Sequence, residues 1–414
     1  MMNRIVCGVL GLGLSSGLGL AAPVPVTVSV TDGMQRGGKP YFVKGGGGDT
    51  HLDELAARGG NSIRTWSNDG LAEVLDNAAK RGLTVSAGIW LEPECSWFSY
   101  ANAEHCAKQA ERVRGVVMEY KDHAALLAWG LGNEAEGDGS NAAFWQQLER
   151  LALLVKDLDA AHPSFTAVAG LSAQKAKGLD EFAPHLDYVG VNTYGGLFSL
   201  RAQLAAMGWA RPWMLTEWGA QGFWERPKSK WGAPLEQTST EKATMLRRGY
   251  DEVITKGGAC LGSYVFIWGW KFEASATWFG LWTNEGESTE GVDVLEEAWR
   301  GKRPVNVAPS IEVMRGAPAD AVKSGDTFDV ATAAKDADGD ELKWRWAVLP
   351  EDAKHDANKR PEMPKSLAGG IASATSERAT VKVPNAAGRY RVYVWVSDGH
   401  GHVATANAPF EARK

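Results

Sequence analysis

The stretch "LAWGLGNEAEG", residues 127–137, closes an apolar run with two glycines and an amide, and then presents Glu134. The run "WMLTEWG", residues 213–219, closes in the same way on Glu217. Two carboxylates, each standing where a buried strand surfaces, are the pairing that cleavage of a glycosidic bond needs. One protonates the leaving oxygen, and the other attacks or stabilises the anomeric carbon. Their surroundings must then differ, so that one is protonated and the other ionised near neutral pH. The residues that close the neighbouring apolar runs suit a sugar site: Arg64 and Trp66, Trp90, Asn133, Asn192 and Tyr194, Trp218, and Trp268 with Trp270. Arg64 and the Tyr194 hydroxyl are candidate donors to an ionised glutamate, and Trp129 and Trp268 are candidates for a less polar setting around its partner. Glu92 and Glu94 read as rim acids, Trp129 and Trp213 as packing, and Trp97 joins the candidates for stacking on a sugar.

These residues need a scaffold that brings strand ends to one mouth. Eight short apolar runs, at "YFVK", "NSIRTW", "LTVSAGIWL", "LLAWGLG", "FTAVAG", "DYVGVN", "WMLTE" and "GSYVFIWGW", alternate with segments whose apolar residues recur three and four apart. Eightfold alternation predicts a (β/α)8 barrel, whose sites lie at the carboxyl ends of the strands. From about residue 309 the helical pattern gives way to short alternating runs such as "RYRVYVWVSD", separated by the turn clusters "DADGD" and "SDGHG". The predicted organisation is a barrel over residues 23–301, a linker over 302–308 and an immunoglobulin-like β-sandwich over 309–414. "DADGD" reads as a turn rather than a calcium loop, and Asp398, His400 and His402 as a polar hairpin rather than a metal site. Trp344 and Trp346, two apart on one strand face, read as sandwich core.

The chain has 414 residues and a net charge of -6, with no clustered basic run, which argues against nucleic acid or an anionic membrane as partner. Eighteen tryptophans favour an oligo- or polysaccharide partner. No metal or organic cofactor is implied, and no feature of the sequence bears on oligomeric state. Residues 1–22, with Arg4 ahead of an apolar stretch and Ala21–Ala22 before Pro23, read as a signal peptide, so the expected destination is periplasmic or extracellular. In that setting a disulfide between Cys95 and Cys106 is expected, with Cys260 a buried thiol.

The segments "HAALLAWGLGNEAEG", "ARPWMLTEWGAQG" and "NSIRTW" resemble the catalytic barrel of family 2 glycoside hydrolases, within the clan of retaining β-glycosidases. "GVNTYGG" and "TEWG" are also similar to β-1,3-glucanosyltransferases of that clan. The resemblance spans roughly residues 38–300. It implies a general acid/base role for Glu134 and a nucleophile role for Glu217. It further implies that Asn133 contacts the sugar 2-hydroxyl, that Arg64 and Tyr194 support the nucleophile, and that Trp268 floors the first subsite. The first run, "VKGGGGDTH", departs from the family's asparagine and histidine, and the family's amino-terminal sugar-binding and sandwich domains do not precede the barrel in this sequence. The expected activity is retaining hydrolysis of a β-linked glucan or related glycan. A transglycosylase using the same residues and a non-catalytic carbohydrate-binding barrel are the alternatives.

Overall fold

The computed structural model describes residues 23–351 and 362–414; the signal-peptide reading of residues 1–22 lies outside them. The eight apolar runs become eight parallel strands: β1 (Val43–Gly47), β2 (Ser62–Arg64), β3 (Thr84–Ile89), β4 (Leu126–Asn133), β5 (Ser164–Ala169), β6 (Tyr188–Asn192), β7 (Trp213–Trp218) and β8 (Cys260–Val265). They pair in chain order, and β8 closes onto β1, giving a barrel. The helices between them are α1 (Leu52–Ala57), α2 (Leu71–Ala79), α3 (Ala103–Tyr120), α4 (Ala142–Leu158), α5 (Ala173–Phe182), α6 (Leu197–Ala206), α7 (Ser239–Gly249) and α8 (Glu290–Arg300). Local chemistry fixes where several begin. Asn102, Asn141 and Ser172 accept backbone N–H bonds at the starts of α3, α4 and α5, and Thr238 with Glu241 forms a capping box on α7.

Alternation along the strands sorts two cores. Outward residues such as Ile63, Val85, Val168 and Leu215 pack on helix leucines, while Leu127, Phe165, Tyr188, Met214 and Tyr264 fill the interior. A small antiparallel sheet of Val26–Ser29, Gly33–Arg36 and Lys39–Pro40 contributes Val26 and Met34 to that interior cluster. The Tyr264 hydroxyl is satisfied inside the barrel by Ser62 and Ser86, at 2.8 and 2.7 Å.

The glycine run in β1 follows from this packing. A Cβ on Gly45 would stand 2.3 Å from the Tyr264 ring, and one on Gly46 would stand 2.4 Å from the Cβ of Trp268. Gly46→Ala therefore forces β1 away from Trp268, and the expected cost is about 1–3 kcal/mol, read as a lower midpoint in thermal or denaturant unfolding.

The carboxy-terminal region is a β-sandwich. Its larger sheet holds β9 (Lys343–Pro350), β10 (Gly388–Ser397), β11 (Val403–Arg413) and the short strand Val322–Lys323; the smaller holds Thr327–Ala331, Ile371–Ala374 and Arg378–Lys382. Val330, Val381, Val392, Val394 and Phe410 form its core, with Trp344 and Trp346 packed partly buried against it and stacked 6.4 Å apart. The segment 302–308 lies against the protein at its end: Val307 and Ala308 are buried, and the Ala308 N–H donates to Asp293 at 2.7 Å. Among the described residues, no helix is long and apolar enough to cross a membrane.

The expected Cys95–Cys106 bridge is absent, and both are free thiols. Cys106 sits on the buried face of α3 with its Sγ donating to the Tyr100 carbonyl at 3.3 Å, while Cys95 pairs its backbone with Phe98 in the preceding loop. Burial raises the pKa of both the Cys106 and the Cys260 thiol, the latter to about 11.

Candidate active site

A cleft of about 1110 Å³ opens at the carboxyl ends of the strands. Glu134 and Glu217 both line it, one following β4 and the other near the end of β7. Their surroundings differ sharply. Glu217 receives three donors: Arg64 Nη1 at 3.0 Å and Trp66 Nε1 at 2.7 Å on Oε1, and the Tyr194 hydroxyl at 2.8 Å on Oε2. Glu134 receives one side-chain donor, Asn192 Nδ2 at 2.7 Å on Oε1. Burial raises the Glu134 carboxyl above the ordinary carboxylate range, opposed by the Asn192 hydrogen bond and assisted by the negative charge of Glu217. Burial, and then the neighbouring Glu217 charge, push the Tyr194 phenol well upward, so Tyr194 stays a donor.

A polar network joins the two carboxylates. Arg64 is buried beneath the cleft, where it also bonds the Thr216 carbonyl at 2.8 Å and Asn133 Oδ1 at 2.6 Å. Asn192 Nδ2 reaches Asn133 Oδ1 at 3.1 Å as well as Glu134, and its Oδ1 accepts from Thr216 Oγ1 at 2.7 Å. With Asn133 Oδ1 thus filled by two donors, its Nδ2 makes no hydrogen bond to any described residue and remains available to a ligand in the cleft. Glu134 itself has φ of 52°, in the left-handed region that glycine favours, and its N–H bonds the Ala167 carbonyl at 2.8 Å. A non-glycine residue held there marks backbone over-determined by its neighbours, as functional sites often are.

Of the residues read from sequence, Arg64, Trp66, Asn133, Glu134, Asn192, Tyr194, Glu217 and Trp270 are brought together at the cleft. Three are not. Trp218 is 1% exposed and turned outward, where its ring lies against Gly249. Trp268 is fully buried, donating to the His51 carbonyl at 3.1 Å and packing on Trp282 and Trp299, so it is not a subsite floor. Trp90 is exposed at the end of β3 but outside the cleft lining, with its carbonyl bound by Arg112. Trp129 also faces away, to Asp159 at 2.8 Å, so neither it nor Trp268 supplies the less polar setting of Glu134. Glu92 is paired with Arg112 at 2.9 Å, and Glu94 accepts from the Tyr100 N–H at 3.0 Å.

The cleft also holds residues that strand-end reading missed: Trp224 and Glu225 from the loop after β7, and Phe266, Lys271 and Glu273 from the loop after β8. Away from it, the turns "DADGD" and "SDGHG" meet, with carboxylate oxygens of Asp336, Asp340 and Asp398 within 4.8 Å of one another. Asp336 Oδ1 accepts the N–H groups of Asp338, Gly339 and Asp340, which closes the first turn, and Asp398 bonds His402 Nδ1 at 2.7 Å.

No protein-family model and no curated protein matches the chain. Solved structures match its fold. A β-D-glucuronidase of Dictyoglomus thermophilum is 20% identical over 68% of this chain and 54% of its own, with a TM-score of 0.53. A β-glucuronidase of Bacteroides uniformis is 15% identical over 94% and 48%, with a TM-score of 0.52. A family 2 β-galacturonidase of Eisenbergiella tayi, bound to galacturonate, is 16% identical over 68% and 54%, with a TM-score of 0.51. The chain spans about half the length of these proteins, and the likeness is one of fold: the barrel resembles those of family 2 glycoside hydrolases.

Proposed function

We propose that this chain is an exported retaining β-glycoside hydrolase, periplasmic or secreted, acting on a β-linked glucan or related glycan. The observation that carries the reading is the unequal treatment of two carboxylates in one cleft. Three donors stabilise negative charge on Glu217, whereas burial favours the protonated form of Glu134. Glu134 protonates the glycosidic oxygen as Glu217 attacks the anomeric carbon, giving a glycosyl-enzyme. The Glu134 carboxylate then removes a proton from water, which displaces Glu217 with net retention. On this reading the unbonded Asn133 amide nitrogen, which shares the cleft, donates to a hydroxyl beside the reacting carbon.

The cleft walls favour an uncharged sugar. Lys271 is the only lysine or arginine lining it among the described residues, and its ammonium is taken by Glu273 at 2.6 Å. Asp49, Asp69 and Glu225 add negative charge without a further lining cation. A uronate would enter against this field and, among the described lining residues, find no cation free of a carboxylate. This separates the present reading from the acidic sugars in the names of the structural neighbours.

The test is a panel of β-linked glucans, mannans, galactans and uronides, with the anomer of the first product followed by NMR. Expected is turnover of a neutral β-glycan, at least tenfold faster than the matched uronide, with the β-anomer released first. Initial release of the α-anomer sinks the double-displacement mechanism, and a preference for the uronide sinks the neutral assignment. Binding without turnover across the panel leaves a carbohydrate-binding barrel instead.

A further inference from the structure

We propose that Trp224 is the stacking platform of a second sugar subsite, which commits the cleft to substrates of two or more linked pyranose rings. The inference rests on the reading of the cleft as a glycosidase site. Trp224 lines the cleft with 53% of its surface exposed, whereas Trp66, Trp218, Trp268 and Trp278 are partly or wholly buried. A large flat apolar face left open in a polar cleft is suited to the C–H face of a pyranose ring.

The indole is held in a built position. Its ring meets Tyr194 edge-on at 5.5 Å and 89°, and Phe223 at 4.9 Å and 80°. Gly222 lies so close beneath it that a Cβ there would stand 2.4 Å from the indole. Glu225 anchors the same loop: its carboxylate accepts the Gly222 N–H at 2.8 Å and the Gly195 N–H at 2.8 and 3.0 Å, tying the loop after β7 to the loop after β6. That carboxylate is occupied in fixing the loop. Tyr194 links the platform to the chemistry, since one end of this side chain bonds Glu217 and its ring supports Trp224. One tyrosine therefore separates the carboxylate that meets the anomeric carbon from the indole, which places a ring stacked on Trp224 next to the ring being cleaved.

The experiment compares wild type, Trp224→Ala and Trp224→Tyr on two donors of the preferred sugar: the β-glycosyl fluoride, which has one ring and no ring in its leaving group, and the matched tetrasaccharide. Trp224→Ala is expected to lower kcat/KM on the tetrasaccharide at least ~10-fold more than on the fluoride, mainly through KM, as loss of an aromatic anchor does. Trp224→Tyr is expected to recover most of that ratio. Tetrasaccharide binding to Glu134→Gln should change tryptophan fluorescence, and the added Trp224→Ala substitution should remove most of the change. Equal losses on both donors, or none, overturn the subsite while leaving the glycosidase reading intact. Wild type that neither binds nor cleaves any oligosaccharide removes the underlying reading, and the subsite with it.

Discussion

Glu217→Gln is expected to abolish turnover on every substrate, by on the order of 10⁴–10⁶-fold, because an amide cannot attack the anomeric carbon. Glu134→Gln should cost less, and by an amount that depends on the leaving group. Loss of a general acid is worth roughly 10²–10⁴-fold, and it is felt least where the departing oxygen needs no proton, as with a dinitrophenolate. With such a substrate the glycosyl-enzyme accumulates in Glu134→Gln, since water lacks its base. Added azide, which needs no base, should then restore turnover and yield the β-glycosyl azide. Azide rescue of Glu217→Gln but not of Glu134→Gln would reverse the assignment. The same variant tests the raised carboxyl. Activity in wild type should fall as pH rises through the elevated Glu134 pKa, where the acid loses its proton. For stability the sign is equally definite: the folded state binds this proton more tightly than the unfolded, so ionisation above the ordinary carboxylate range works against folding. Glu134→Gln should therefore raise the unfolding temperature at neutral pH, and the gain should vanish near pH ~4, where the wild-type group is protonated in both states.

Much of this site was legible because strand parity is local. Arg64 and Trp66 stand two apart and share a side, as do Asn192 and Tyr194. The same rule explains a failure: Trp218 follows inward-facing Glu217 by one residue and so turns to the helices, a conclusion that parity alone supports. Asn133 and Glu134 are also adjacent, yet both reach the cleft, because the left-handed backbone at Glu134 breaks the alternation. Trp224 lay beyond such rules. Its loop has no periodicity, and its only sequence signal is an aromatic pair following Gly222 in "GAQGFWERP". Trp268 stays in the core because the glycines of β1 open a space that its ring fills, a complementarity between segments more than two hundred residues apart that no local pattern carries. The Cys95–Cys106 expectation relied on compartment and spacing, and neither reports the direction in which α3 points its thiol.

The second large effect is expected far from the carboxylate pair, at Lys242. Its ammonium donates to Glu236 Oε1 and to the Thr277 carbonyl, both at 2.6 Å, in the joint between barrel and sandwich. Burial alone would raise the Glu236 carboxyl, but Lys242 and Arg391 hold it below the ordinary range, so it is an ion kept buried by its partners. Ser275, Thr277 at 2.8 Å and Asn407 at 2.8 Å complete its shell. Arg391 from β10 adds bonds to the Pro234 carbonyl at 2.9 Å and to Asn407 at 2.6 Å. Glu236 thus ties the loop after β7, the loop after β8, α7 and the sandwich strand β11 into one unit. Lys242→Met removes the ammonium bonded to that buried carboxylate and leaves Arg391 as its remaining cation, and the expected loss is about 3–5 kcal/mol. The double variant Lys242→Met/Glu236→Leu removes both ions and should recover a large part of it, which separates the cost of an orphaned charge from the cost of lost packing. Calorimetry of the full chain should show barrel and sandwich unfolding in one transition that Lys242→Met moves as a whole; two transitions, only one of them shifted, would refute the tie. The consequence reaches the cleft, because Phe272 and Ala276, with Trp270 against them, pack on Tyr393 and Trp395 of the sandwich, while Trp270, Lys271, Phe272 and Glu273 of the same loop line the cleft. The sandwich is thereby the outer support of a cleft wall, and a loosened joint should raise KM for oligosaccharides before it alters the chemistry at Glu217.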